Sequence, residues 1–430
     1  MKRVLVITYY WPPQGGSGVQ RWVKFAKYLP SEGWQPVIYT PENPEMNSVD
    51  ETLGREIPPE VEVVRRPIIE PYGIYRKLMG SKSTTDMKTL TSKPGKPSLA
   101  LRIRSNFFIP DPRVWWVGPS VRFLRKYLRE HPVDAIITTG PPQSMHLIGQ
   151  KLSRDTGLPW ISDFRDPWTK MYWFKNMGLG RRAEKKHFAL EQSVLDESTV
   201  VLTVTPSVQE DMKARTSTPV AMITNGFDTD DFKNAAERPE DGFFNLVHTG
   251  IFPGDGNPQA LWDALEKMCR EDEEFRAKLR LRLVGKTDDG IKESIARAGL
   301  GENVVDLGYR DHGVAVGEQM AASVLLLPLR NDPDYKAILP GKVFEYLAAR
   351  RPVIGFGQSD GAMARVLVDA GAGKVYEFSD TEGIESALRQ AWERFKTEGN
   401  VHTDGNIEQY SRKALTKTLA ALLDSITENK

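Results

Sequence analysis

The sequence predicts two α/β domains, each a parallel sheet wrapped by helices, and three observations carry that prediction. Short apolar runs alternate with segments of helical period along most of the 430 residues. The alternation pauses at a polar, acidic stretch over residues 228–242 and then restarts. At roughly 150 residues per domain, the length also asks for two or three domains.

The elements follow in order. Residues 3–8 read as a strand, 19–29 as a helix, 36–40 and 61–65 as strands. After an irregular stretch come a helix near 120–129, a strand at 134–139, a helix at 143–155, a strand at 160–164, a helix at 181–195, and strands at 199–205 and 221–224. In the second half, 245–249, 281–284, 304–307, 324–329 and 352–356 are strands, with a helix at 258–270 after the first of them. An amphipathic helix closes the chain over 410–426. The expected domains are therefore 1–228, rejoined by the terminal helix 408–430, and 243–407. Residues 67–113 break the pattern with six prolines and the polar run 81–86, and read as an insertion with a short basic-apolar helix near 98–108.

Composition narrows the function classes. With 40% hydrophobic and 27% charged residues the chain is neither disordered nor collagen-like. One cysteine, Cys269, excludes an intrachain disulfide and a cysteine zinc cluster, and fits a reducing, cytoplasmic setting. The uncharged run 135–150 holds Gly140, Pro141 and Pro142, so it does not span a membrane. The net charge of +1 hides an asymmetry: residues 1–215 carry 32 Lys and Arg against 22 Asp and Glu, and 216–430 carry 26 against 35. The basic excess sits in 61–129, with 15 cations and 4 anions, interleaved with Phe107, Phe108, Trp115 and Trp116. Such a stretch suits peripheral contact with an anionic membrane or a lipid-phosphate acceptor. Nucleic acid is not expected, since no recognition module appears.

Ligands of open parallel sheets bind beyond the carboxyl ends of the strands, so those loops hold the candidate chemistry. The first, 9–18, carries Gly15, Gly16 and Gly18 before a helix, leaving backbone N–H groups free to approach an anion. Its Gly-Gly-x-Gly spacing is not that of a dinucleotide fold, which sets a nicotinamide dehydrogenase aside. The loop after 134–139 brings Gln143, Ser144 and His146 to a helix start. The next, Ser162-Asp-Phe-Arg-Asp-Pro-Trp168, places Asp163, Arg165 and Asp166 at a strand end, where they form either a structural network or part of the reacting site. In the second half, Gly341 opens a helix whose Lys342 and Glu345 share a face, an ammonium for phosphate and a carboxylate for ribose hydroxyls. Lys286, Arg310, Arg330 and Lys336 are further cations near strand ends, Asp228-Thr-Asp230 and Asp332-Pro-Asp334 are metal-like pairs in turn settings, and no metal or cofactor is expected.

Together, Tyr9–Gly16, Thr139-Gly-Pro-Pro, Asp163-Phe-Arg-Asp-Pro-Trp, Thr224-Asn-Gly-Phe-Asp228, Gly341-Lys-Val-Phe-Glu-Tyr-Leu-Ala-Ala and Arg351-Pro-Val-Ile resemble a family-4 glycosyltransferase of the GT-B fold. The resemblance implies two facing Rossmann-like domains, an acceptor-binding N-domain, a C-domain for the nucleotide-sugar donor, a terminal helix crossing back, and retention at the anomeric carbon. It implies donor contacts at Lys342, Glu345, Gly341, Lys286, Arg330 and Arg310, reacting groups among Asp166, Arg165 and His146, and Gly15, Gly16 and Gly18 as a cleft loop. The acceptor would be a lipid-linked group or a glycan, in cell-surface polysaccharide or glycoconjugate synthesis. The chain departs from the family at Ala337, where the first glutamate of a Glu-x7-Glu pair would stand. It also has Gly250-Ile-Phe-Pro-Gly where an Arg and a Lys usually follow the first C-domain strand, and Arg165-Asp166 where many members have a histidine. The alternatives are a non-catalytic GT-B binding protein and an epimerase-like enzyme on sugar nucleotides.

Overall fold

A computed structural model describes residues 1–46, 49–50, 52–70, 99–171, 174–233, 235–236 and 238–428. The chain divides into two compact units, residues 1–224 with 413–430, and residues 225–412.

The first unit is built on seven parallel strands in the order β3-β2-β1-β4-β5-β6-β7: β1 Lys2–Ile7, β2 Trp34–Pro41, β3 Glu62–Arg66, β4 Ala135–Gly140, β5 Trp160–Phe164, β6 Val200–Thr203 and β7 Val220–Met222. β1 pairs with β2 on one side (Leu5 opposite Val37) and with β4 on the other (Leu5 opposite Ile136). The chain order reverses there, and that reversal opens a crevice at the strand ends. Both faces are covered, so Val4–Ile7 of β1 and Ala135–Ile137 of β4 are unbroken apolar runs rather than alternating ones. One face packs on the helix Val114–Glu130 through Trp116, Val117, Val121, Leu124 and Leu128. The other packs on the helix Ser17–Tyr28, whose Val19, Trp22, Val23 and Ala26 make one stripe.

The terminal helix Arg412–Thr427 completes that second face. Leu415, Leu419 and Leu423, four residues apart, are buried with Val4, Val6 and Ile38. Asp424 fixes the helix end, accepting from Lys2 Nζ at 2.8 Å and Trp34 Nε1 at 3.2 Å.

The second unit repeats the plan with six parallel strands in the order β10-β9-β8-β11-β12-β13: β8 Phe244–Thr249, β9 Leu279–Val284, β10 Val304–Gly308, β11 Val324–Pro328, β12 Val353–Phe356 and β13 Gly373–Tyr376. Here the order reverses between β8 and β11. The segment 228–242, expected as a linker, belongs to this unit. It begins with the helix Thr229–Lys233, and Ala236 N donates to Gly313 O at 3.1 Å. Gly317 lets this backbone lie close, because a Cβ there would meet Ala236 O at 2.1 Å. Of the expected insertion, 71–98, with the polar run 81–86, lies outside the described residues, and the basic-apolar helix is present as Leu99–Phe107. No helix among the described residues is long and apolar enough to cross a membrane.

The terminal helix is thus core rather than appendage. Leu419→Ala should destabilise the first unit by about 2–5 kcal/mol. Hydrogen exchange should quicken in β1 and β2 and stay unchanged in β8–β13.

Candidate active site

In the first unit the loops after β1, β4 and β5 are held by two side chains with different tasks. Asp163, the second-last residue of β5, is fully buried and faces Arg21, whose side chain is 1% exposed. Arg21 Nη2 donates to Asp163 Oδ1 at 3.0 Å and its Nε to Oδ2 at 3.2 Å. Trp22 Nε1 and Thr139 Oγ1 donate to Oδ2 at 2.9 and 3.0 Å, and Arg21 Nη1 reaches Thr224 O at 2.9 Å. A buried carboxylate persists only with this number of donors. Asp163 is therefore the structural hub that joins β4, β5, the chain after β7 and the first helix.

Arg165 holds the loops. Its Nη1 donates to Gly18 O at 2.7 Å, its Nε to Gly140 O at 3.3 Å, and its Nη2 to Pro141 O. The guanidinium lies over the Tyr10 ring, 5.5 Å from its centre. With its donors turned to backbone carbonyls, it positions the glycine loop against the β4 loop. Gly18 leaves room for this contact, since a Cβ would lie 3.0 Å from Arg165 Nη1 and press the guanidinium aside. Gly16 is required by its own backbone, at φ 102° before the helix Ser17–Tyr28, so its replacement strains the chain whatever binds there. Gly15 lies half-buried beside it.

His146 is a correction. It was expected to face the ligand, but it lies in the core, 0% exposed, stacked on Phe164 with Nδ1 2.8 Å from Thr138 Oγ1. Burial drives its pKa down to about 3, against the pull of Asp163. A neutral, enclosed imidazole does not exchange protons with a substrate near neutral pH. Ser144 is also occupied, giving its N–H and Oγ to Asp111 at 2.8 and 2.9 Å. Asp166 differs: it is half-buried, burial raises its carboxyl above the ordinary range despite Arg165 beside it, and it makes no hydrogen bond among the described residues.

The second unit brings Lys342 and Glu345 together on the helix Gly341–Ala349, behind the reversal point of the sheet. Gly341, exposed, opens the helix without a side-chain cap. Lys342 leans across the loop after β8: its Nζ donates to Ile251 O at 3.2 Å and lies 3.5 Å from His248 Nε2. Gly250, at φ 92°, makes room, since a Cβ there would lie 3.2 Å from Nζ. His248 is fully buried and 3.0 Å from Leu326 O through Nδ1, which therefore carries the proton. Burial and then the Lys342 charge press its pKa well below the usual imidazole value. Burial also lowers the Lys342 ammonium to about 8, although Glu345 pulls the other way.

Glu345 is oriented by two residues no motif announced. His312 Nε2 lies 3.5 Å from Oε1, and Gln319 Nε2 donates to Oε2 at 3.2 Å. Burial would raise this carboxyl, but the bonds from His312 and Gln319 and the Lys342 charge hold it below its ordinary value. Gln319 also reaches Thr249 Oγ1 at 3.0 Å, tying the site to the end of β8. The other expected cations are more open. Lys286 follows β9 and Arg310 follows β10, both exposed. Arg330 pairs with Asp255 at 2.9 Å, and Lys336 pairs with Asp360. Ala337 ends the short helix Pro333–Ala337. The two Asp-x-Asp pairs serve turns: Asp228 accepts from Asp230 N at 3.1 Å, and Asp332 from Asp334 N at 2.9 Å.

Two parallel-sheet units in one chain meet two family descriptions. Residues 85–231 match Glycosyltransferase Family 4, and residues 244–394 match Glycosyl transferases group 1. The chain is a family-4-like, group 1 glycosyltransferase. Solved structures agree on the fold. A glycosyltransferase from Rickettsia africae ESF-5 is 14% identical with a TM-score of 0.60, over 100% of this chain and 99% of that one. An α,α-trehalose 6-phosphate synthase from Burkholderia multivorans is 13% identical at 0.63, over 100% of both. WaaG, a glycosyltransferase involved in lipopolysaccharide biosynthesis, is 16% identical at 0.53, over 99% and 98%. No curated protein matches the sequence significantly. This glycosyltransferase is a GT-B protein, as its motifs implied.

The two roles of the β5 motif separate by mutation. Asp163→Ala in this glycosyltransferase should cost about 3–5 kcal/mol in urea unfolding, because it strands the Arg21 charge in the core. Lost activity with stability intact would make Asp163 a reacting group instead.

Proposed function

We propose that this glycosyltransferase moves a sugar from a nucleotide-diphosphate donor to a hydroxyl of a lipid-linked or glycan acceptor, with retention and without a metal. The observation that carries the reading is Lys342: a half-buried ammonium with a depressed pKa, beside an oriented carboxylate, at the reversal point of a parallel sheet. Such a group gains most from an anion, and a diphosphate leaving group gains charge as the glycosidic bond breaks. Lys342 would meet the diphosphate, with Lys286, Arg310 and Arg330 adding positive potential. Glu345 would hold the ribose hydroxyls, kept in place by His312 and Gln319. With Ala at 337, the sugar would be read by other groups than the family's first glutamate.

In the reaction the acceptor oxygen forms a bond to the anomeric carbon as the carbon–phosphate oxygen bond breaks, on the same face of the ring. The hydroxyl proton passes to the departing phosphate oxygen. Asp166, half-buried and without a hydrogen bond among the described residues, is the first-unit group suited to orient the acceptor hydroxyl. Placement in cell-surface polysaccharide or glycoconjugate synthesis is in keeping with the likeness to WaaG, a glycosyltransferase involved in lipopolysaccharide biosynthesis. The epimerase-like reading needs an acid and a base, and two of its three candidates, His146 and Asp163, are buried and engaged.

A panel of labelled nucleotide sugars, run with chelator and with glycan and lipid-linked hydroxyl acceptors, tests the proposal. Transfer or slow donor hydrolysis is expected, undiminished by chelator. Glu345→Gln should weaken donor binding by about 1–3 kcal/mol at unchanged stability. Epimer formation, or tight binding without turnover by any donor, would contradict it.

A further inference from the structure

The first unit carries an exposed surface where aromatic and basic side chains meet. The helix Leu99–Phe107 ends in Phe107, 77% exposed. Phe108 follows, edge-on to Trp115 at 5.1 Å, and Trp115 is 50% exposed at the start of the next helix. Its neighbour Trp116 is the structural member of the pair, 2% exposed and stacked on Tyr39 at 4.9 Å. So the turn between the two helices presents Phe107, Phe108 and Trp115 outward, although the core had room for Trp116.

Hydrogen bonds fasten a second basic segment to this turn. Ser105 Oγ donates to Met177 O at 2.8 Å, Asn106 Nδ2 to Gly178 O at 3.1 Å, and Gly180 N to Asn106 Oδ1 at 2.7 Å. The helix Arg181–Glu197 therefore starts beside Phe107. Its first two turns expose Arg181, Arg182, Lys185 and Lys186, with Lys175 just before them and Arg102 on the neighbouring helix. Phe188, 42% exposed, continues the aromatic strip, propped on the buried Phe174 at 6.0 Å. Between 174 and 190 the opposing charge is Glu184 alone. These helix cations lie outside the 61–129 run that the sequence pointed to, so the fold adds a second basic segment to the first.

We propose that this surface docks the glycosyltransferase on an anionic lipid bilayer. Exposed phenylalanine and tryptophan at the joined ends of two helices, with exposed Arg102, Arg181, Arg182, Lys185 and Lys186 on the same helices and the one fastened to them, match a headgroup layer, where rings enter the interface and cations meet phosphate. Attachment through such a surface is peripheral and reversible, and no described helix is long and apolar enough to cross a bilayer. The proposal does not rest on the reaction above, because lipid binding is read without donor or turnover.

Sedimentation of the full chain with vesicles decides it. The protein should pellet with vesicles of phosphatidylcholine mixed with phosphatidylglycerol, stay in solution with phosphatidylcholine alone, and release as salt is raised. Replacing Arg181, Arg182, Lys185 and Lys186 with Gln should lower the partition coefficient at least about tenfold, since each contributes attraction at an anionic leaflet. Phe107→Ser with Trp115→Ser should also lower it, and both variants should fold because the groups are exposed. Arg270→Gln with Arg394→Gln, exposed cations of the second unit, should leave it unchanged. Equal binding to both vesicle types, binding to neither, or full binding by both surface variants would overturn the proposal. Loss through Arg270→Gln with Arg394→Gln alone would also overturn it. In the case of binding to neither, an acidic protein becomes the partner that fits.

Discussion

Everything in the first unit hangs on a buried carboxylate. Asp163 stands where β5 ends, and four donors from three side chains converge on it. Removing a charge from water costs several kcal/mol, so the pair with Arg21 holds only if the surrounding geometry is fixed. That requirement places the first helix, and with it the glycine loop, relative to β4 and β5. Arg165, two residues later, uses the anchored strand end to gather Gly18, Gly140 and Pro141. The loops that would face an acceptor are thus positioned by charge pairing behind them.

The second unit treats charge differently. Glu345 is held by His312 and Gln319, but among the described residues Lys342 has only a carbonyl, a neutral imidazole and the Glu345 field around its ammonium. Its partners leave it under-compensated, and burial lowers its pKa accordingly. An incoming diphosphate would supply the missing anion. The contrast separates the two kinds of buried charge: Arg21 is saturated and structural, whereas Lys342 is poised. Lys342 leans over the loop after β8, whose residues 250–258 carry no Arg or Lys of their own.

Much of this was legible in the sequence, for physical reasons. Strands buried on both faces are apolar runs, and β11, Val324–Pro328, read directly from that rule. β13 was not read, because Gly373-Lys-Val-Tyr376 is short and opens on glycine. The helix Val114–Glu130 was started late, since Gly118 and Pro119 resemble a turn. Among site residues, the i, i+3 spacing of Lys342 and Glu345 placed them on one face as expected. His146 was misread because sequence gives its place at a helix start but not the side it turns to, which is the core. Arg21 was missed, although an arginine flanked by Gln20 and Trp22 inside an apolar stripe was a signal. His312 and Gln319 left no signal, because only the packing of one helix against another brings them to Glu345.

Calorimetry of donor binding in buffers of differing ionisation enthalpy tests the role of Lys342 most directly. At a free-state pKa of about 8, the ammonium is half deprotonated at pH 8 and becomes fully charged when a diphosphate binds. The account predicts uptake of about half a proton per donor at pH 8, almost none at pH 6, and affinity that falls as pH rises above 8. Lys342→Met should abolish both the uptake and the pH dependence. Donor binding with no proton uptake at pH 8, and equal affinity for Lys342→Met, would contradict it.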